Sequence, residues 1–308
     1  MSGNFEEGLT RGGGASYRLL RTLNGPLIRR FRGSLEEPEA AAMSRLQEIL
    51  SLARGTRFGR DHALDRVKTL EDYRSAVPIR TAEEMRSYLD LVGDGEARVL
   101  CREPTEMLLE TSGTTGKPKQ LPVTRSWARS VSNAQMLWVL SMLEDHPELA
   151  QGKALTVVSP AETSRSPGGL PVGSNTGRMH LAQPWWIRAR YPVPYEAFCL
   201  EDSRIRQYAI LRFALGEQIS SITTANPSTV LLLCRRLQEW RKELARDLVS
   251  GTLRCGPAED MPDALRQALE SKLLPGRVPS DWRPASIWPL RLVNCWKGGP
   301  ARYFGSLL

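Results

Sequence analysis

Histidine and cysteine are scarce in this chain of 308 residues, and their scarcity removes two kinds of site. Three histidines (His62, His146, His180) and five cysteines (Cys101, Cys199, Cys234, Cys255, Cys295) lie far apart, with no Cys-x-x-Cys pair. A disulfide framework wants an even set and a structural zinc site wants clustered ligands, so neither is expected. Long apolar runs are missing too: none approaches the roughly 18 residues of a membrane span. Met1 to Gly14 is polar and glycine-rich without an apolar stretch, so it does not read as a secretory signal. A cytoplasmic protein with reduced thiols, no membrane partner and a disordered start over residues 1–14 is expected.

No block of five or more like charges occurs. The net charge is +8 with a pI near 9.5, but arginines are interleaved with Asp and Glu along the chain. Dispersed arginine is a solvated surface more often than a nucleic-acid footprint, so no nucleic-acid partner is expected. Hydrophobic content of 41% and charged content of 25% are those of a globular protein with one large domain or two ordinary ones.

Residues 111–119 stand out: Thr111-Ser112-Gly113-Thr114-Thr115-Gly116-Lys117-Pro118-Lys119. Gly113 and Gly116 permit left-handed backbone, so successive N–H groups can converge on one point. The hydroxyls of Thr111, Ser112, Thr114 and Thr115 can donate to anionic oxygens, and Lys117 and Lys119 add positive charge. This is phosphate-binding chemistry without Walker geometry. A Walker A loop has four residues between its glycines and a Ser or Thr after the lysine, whereas Pro118 follows Lys117 and disfavours a helix there. The loop therefore reads as a link between two strands, Met107 to Glu110 before it and Leu121 to Val123 after it. A polar surface hairpin is the alternative for the same residues.

The first hundred residues read as helical. Leu19, Leu20, Leu23, Leu27 and Ile28 form a stripe broken at Gly25-Pro26, and Pro38 to Ala53 forms a clearer helix. Thr81-Ala82-Glu83-Glu84 reads as a capping box opening a helix to about Leu91. Val99-Leu100 looks like a short strand. Thr124 can cap a long helix to about Glu144, and Ala154 to Ser159 forms a strand. Gly168 through Gly177 reads as a long connection. Trp185, Trp186, Tyr191, Tyr195 and Phe198 are either packing or an apolar wall with Arg188 or Arg190 near a carboxylate, packing being preferred. Helix (203–217), strand (219–225), helix after an Asn226 cap and Pro227, helix (264–274) and strand (287–296) follow. That alternation predicts an α/β layered fold.

Several segments together resemble one family. Residues 111–124, Tyr191-Pro192-Val193-Pro194-Tyr195, Thr224 to Thr229 and Cys295-Trp296-Lys297-Gly298-Gly299 are similar to the GH3 family of acyl acid amido synthetases in its bacterial form. The resemblance implies the N-terminal large domain of the adenylate-forming, firefly luciferase-like α/β fold, truncated, with a helical N-terminal segment over 15–97 and a nucleotide-binding core over 98–308. It also implies an ATP- and Mg²⁺-dependent ligase that activates a small carboxylic acid as acyl-AMP and passes it to an amino acid.

Carried onto this chain, Lys117 and Lys119 are the catalytic candidates. Thr111, Ser112, Gly113, Thr114, Thr115, Gly116, Gly298 and Gly299 are the nucleotide-binding ones. The family's later acidic motif and its small closing domain have no counterpart here, so weak or absent activity is expected of this chain alone. An adenylate-forming acyl-CoA ligase and a non-catalytic nucleotide-binding remnant remain alternatives.

Overall fold

The computed structural model describes residues 13–111, 119–299, 301–305 and 307. Helices come first: α1 (Gly13–Leu23), α2 (Gly25–Glu36), α3 (Pro38–Ala53), α4 (Arg57–Asp61), α5 (Leu70–Ala76) and α6 (Arg86–Gly93). Strands β1 (Met107–Thr111) and β2 (Lys119–Val123) precede α7 (Arg125–Asp145). Next come β3 (Lys153–Thr156), β4 (Ser164–Arg165), β5 (Pro171–Gly173), α8 (Asn175–Ala182), α9 (Trp185–Arg188) and α10 (Tyr195–Phe198). The last part holds α11 (Ser203–Leu215), β6 (Ile219–Thr223), α12 (Pro227–Glu239), α13 (Arg241–Ser250), α14 (Asp263–Glu270), α15 (Pro284–Ile287), β7 (Leu292–Asn294) and α16 (Ala301–Gly305).

Two compact units result. One comprises Leu20–Ser141 with Pro160–Leu181; the other comprises Met142–Ser159 and Ala182–Leu308 with the chain up to Leu19. In the first, the sheet order is β2-β1-β5-β4. β1 pairs antiparallel with β2 and parallel with β5, and β4 pairs antiparallel with β5. Leu108 faces a cluster with Tyr88, Val92, Val99 and Val172, while Met107 and Leu109 face Val123. Successive side chains point to opposite faces, so β1 is buried on both. In the second unit, β3-β6-β7 is wholly parallel, and a continuous core from Leu155 to Trp288 surrounds β6. A parallel sheet covered by helices is the α/β arrangement expected from the alternating segments.

Local chemistry explains where elements start. Thr56 Oγ1 accepts from Gly59 N at 2.9 Å and opens α4. Thr69 and Asp72 form a capping box at α5. α7 is anchored by Thr124, whose Oγ1 accepts from Trp127 N at 3.4 Å, as expected of that cap. Its stronger anchor is Glu103, which accepts from Ser126 N at 2.9 Å and from Ser126 Oγ at 2.5 Å. These bonds, the hydroxyl's first, hold the Glu103 carboxyl below the usual carboxylate range.

Several expectations change. Thr81 and Glu84 exchange the capping-box bonds, but they close turns and α6 begins only at Arg86. Val99-Leu100 is a bend, not a strand: Val99 is buried and its carbonyl accepts from Phe58 N at 3.0 Å. The glycine-rich stretch 168–177 is not a loop throughout, since it holds β5 and the start of α8. The strand foreseen over 287–296 shrinks to Leu292–Asn294, because α15 precedes it and Trp288 is buried, donating its indole N–H to Ala214 O at 3.0 Å.

Candidate functional site

The loop 112–118 is set out by the register of its hairpin. Met107 pairs with Val123, and the ladder runs without a break to Thr111 opposite Lys119. The segment therefore joins strand to strand, as its proline indicated. Ser112, Gly113, Thr114, Thr115, Gly116 and Lys117 lie outside the described residues. Of the eight candidates in the loop region, the structure describes the backbone of the two that end the strands, Thr111 and Lys119.

A second element reaches the same edge. β1 and β5 are parallel, with Leu108 opposite Val172 and Leu109 opposite Gly173. Their carboxyl ends point the same way, so β1 ends beside the turn that leads from β5 into α8. In α/β sheets, ligands gather outside the carboxyl ends of parallel strands. Ser174 caps α8, accepting from Gly177 N at 3.0 Å. Gly173 is required there, since a Cβ on it would lie 2.0 Å from Ala161 O.

Arg178 on α8 donates to Asn175 Oδ1 at 3.0 and 3.2 Å and stacks 5.4 Å from the Trp127 ring centre. Burial lowers its pKa, partly offset by Glu106. Sequence reasoning missed this helix. The signal was present: an apolar Leu170-Pro171-Val172 run, then Ser174-Asn175-Thr176-Gly177 as a cap, masked by the surrounding glycines.

The other candidates belong to the second unit. The carboxyl ends of β3, β6 and β7 are tied together by Val157 N to Thr223 O (2.9 Å), Thr224 N to Asn294 O (3.0 Å) and Trp296 N to Ala225 O (3.3 Å). Gly298 and Gly299 follow β7, and both would accept a Cβ without contact. Gly299 has φ +57°, so its conformation rather than its surroundings calls for glycine. Asn226 accepts from Ser228 N at 3.0 Å, which accounts for the Thr224–Asn226 segment as a helix cap.

The aromatic segment divides. Phe198 is buried, as core packing expects, whereas Trp185 and Trp186 are 75% and 46% exposed. Arg190 is not a carboxylate clamp: its guanidinium donates to the carbonyls of Ala150 and Gly152.

The donor set suits a polyphosphate better than a bare metal. Residues 111–119 contain no carboxylate, and among the described residues no group of three His, Cys, Asp or Glu side chains could hold a metal ion. Mg²⁺ is commonly held by phosphates, water and one or two carboxylates, so the residues fit a metal that arrives on the nucleotide.

An antiparallel hairpin bearing this loop beside a parallel strand, with a separate parallel sheet, has the α/β fold of the acyl acid amido synthetases' N-terminal part. The chain belongs to the GH3 family: residues 27–303 match its N-terminal domain. It is 25% identical over 267 residues to indole-3-acetic acid-amido synthetase GH3.6 of Arabidopsis thaliana, covering 82% of this chain and 43% of that protein. It is 30% identical over 129 residues to indole-3-acetic acid-amido synthetase GH3.15 of the same plant, covering 41% of this chain and 22% of the relative. The solved structure of GH3.15 acyl acid amido synthetase superposes with a TM-score of 0.71 at 19% identity, over 85% of this chain and 48% of that one. The complex of that protein with 2,4-DB gives 0.71 at 20% identity. The chain thus spans under half the length of the relatives it matches. Among the described residues, no helix is long and apolar enough to cross a membrane.

Proposed function

We propose that this chain supplies the phosphate-holding part of an ATP-dependent acyl acid amido synthetase. The observation that carries it is the hairpin ladder ending at Thr111 and Lys119, which presents the Ser112–Pro118 sequence at the carboxyl edge of the β1/β5 pair in a GH3 family chain. In this reading the hydroxyls of Thr111, Ser112, Thr114 and Thr115 and the backbone at Gly113 and Gly116 hold the phosphates of ATP. Lys117 and Lys119 neutralise charge that builds as a carboxylate attacks the α-phosphate, and Mg²⁺ accompanies the nucleotide. Gly298-Gly299 lets the backbone approach the nucleotide. The product is acyl-AMP, and an amino acid amine then takes the acyl group and releases AMP. The working organisation is a helical segment over 15–97 and a nucleotide-binding core over 98–308, in the cytoplasm.

ATP–pyrophosphate exchange over a panel of carboxylic acids tests this, beginning with indole-3-acetic acid and 2,4-DB, which the relatives' names carry. Exchange that depends on one class of acid and falls by about 10²-fold in Ser112→Ala or Lys119→Ala is the expected result. Nucleotide binding without exchange would favour the non-catalytic reading. Absence of both binding and exchange would sink the proposal. If exchange occurs, the acceptor that consumes the adenylate, an amino acid or coenzyme A, separates the amide ligase from the acyl-CoA ligase.

A further inference from the structure

The segment from Leu20 through α2 has an unusual surface. No Asp or Glu occurs between Glu7 and Glu36, while Arg11, Arg18, Arg21, Arg29, Arg30 and Arg32 fall in that stretch. The helix is nearly continuous across Asn24, whose N–H bonds Leu20 O at 3.1 Å and whose carbonyl accepts from Ile28 N at 3.0 Å. At about 100° per residue, Leu23, Leu27, Phe31 and Leu35 share one arc of roughly 120°, and Arg21, Arg29 and Arg32 share an adjoining arc of roughly 80°. α2 packs on α3, yet none of its residues is buried. Leu23, Phe31 and Leu35 are 68%, 46% and 65% exposed. Arg30, on the other side of the apolar arc, is tied to Glu48 at 3.2 Å.

We propose that α2 and the end of α1 form a peripheral membrane-binding surface for anionic lipid. An amphipathic helix in a bilayer interface needs this arrangement: a leucine and aromatic face that enters the acyl boundary, with basic residues beside it that reach the headgroups. The lack of acidic residues matches a negative surface. A second copy of the chain fits less well, since a twofold contact would place like-charged arginine arcs against each other. A nucleic acid would use the arginines but leave Leu23, Phe31 and Leu35 in water. The expectation of no membrane partner rests on the lack of a spanning run, and a helix lying in the interface needs none.

The test is co-sedimentation of the full chain with vesicles of phosphatidylcholine alone or mixed with phosphatidylglycerol. Binding to the anionic vesicles should be at least about tenfold tighter. It should weaken about fivefold for each of Arg29→Gln and Arg32→Gln, and about tenfold or more in the double variant Leu23→Ser/Leu35→Ser. These positions are exposed, and circular dichroism should show unchanged helix content. Equal partition onto neutral and anionic vesicles would overturn the proposal. So would binding that ignores Leu23→Ser/Leu35→Ser, which would mean polyanion capture alone. Sedimentation equilibrium showing a dimer abolished by that double variant, without vesicle binding, would assign the surface to a second copy and overturn it as well.

Discussion

The two compact units are stabilised in different ways. The unit around β6 has a single continuous core, with Tyr208, Phe198, Leu211, Leu237, Leu244 and Leu248 almost wholly buried. Among the described residues, the unit that carries the hairpin has three small clusters instead, around Leu108, Leu64 and Val123. Its elements are held more by caps, close backbone contacts and short ladders, such as Glu103 on Ser126 and Gly173 against Ala161. Local stability follows contiguous apolar burial, so the unit that holds the candidate phosphate loop should open more readily. Native-state hydrogen exchange checks this directly: amides of β6 and α11 should be the slowest, and those of β1 and β2 measurably faster. Equal protection in the two units would remove the distinction.

The largest effect should come from a buried carboxylate within the apolar core. Asp247 is fully buried and accepts from Tyr208 OH at 2.8 Å, Thr252 Oγ1 at 2.7 Å, Arg254 N at 3.0 and 3.1 Å and Cys255 N at 2.9 Å. Nearby Arg212, also fully buried, donates to Thr252 O and Leu274 O. Asp247→Ala should cost about 3–5 kcal/mol in urea unfolding, because it leaves buried donors without a partner and removes the negative charge that favours the buried Arg212 cation. Burial works against the charged carboxylate, but the Cys255, Thr252, Tyr208 and Arg254 bonds outweigh it and lower its pKa. Its contribution to stability is therefore complete above the ordinary aspartate pKa and is lost as pH falls through the lower folded value. Asp247→Asn should flatten that acid limb.

Next in size is Gly173→Ala. The added Cβ meets a backbone oxygen that cannot rotate away, so β5 must shift at a cost of about 1–3 kcal/mol. Since β5 pairs with β1, the same variant should weaken nucleotide binding if the loop holds phosphate. Glu103→Gln removes the charged anchor of α7 and should cost about 1 kcal/mol, read from the thermal midpoint. The smallest effect is expected at an exposed pair: Arg86→Ala breaks the bidentate contact to Glu83 and should leave the thermal midpoint almost unchanged. A larger loss there would mean that the hairpin unit relies on surface charge.

Much of this was readable from residue types. Asn226-Pro227 announced a capped helix, and Pro118 announced that the loop joins strands; both are local preferences that act within a few residues. The glycine-rich stretch misled because Gly173 serves close approach to Ala161, 12 residues earlier in the sequence, and Gly168 close approach to Asp94, and they concealed β5. Arg190 attracted a substrate role because nothing local shows that its guanidinium is already engaged by two carbonyls some 40 residues earlier.

The amino-acid sequence by itself determined the candidate phosphate loop, its strand–loop–strand setting, the α/β alternation and the family, since each rests on residue order or local backbone preference. Only the tertiary structure decided that β5 lies parallel to β1, that α8 starts at the same edge as the loop, and that Asp247 anchors the larger core. Those facts depend on pairings and buried contacts between distant segments, and no local preference encodes them.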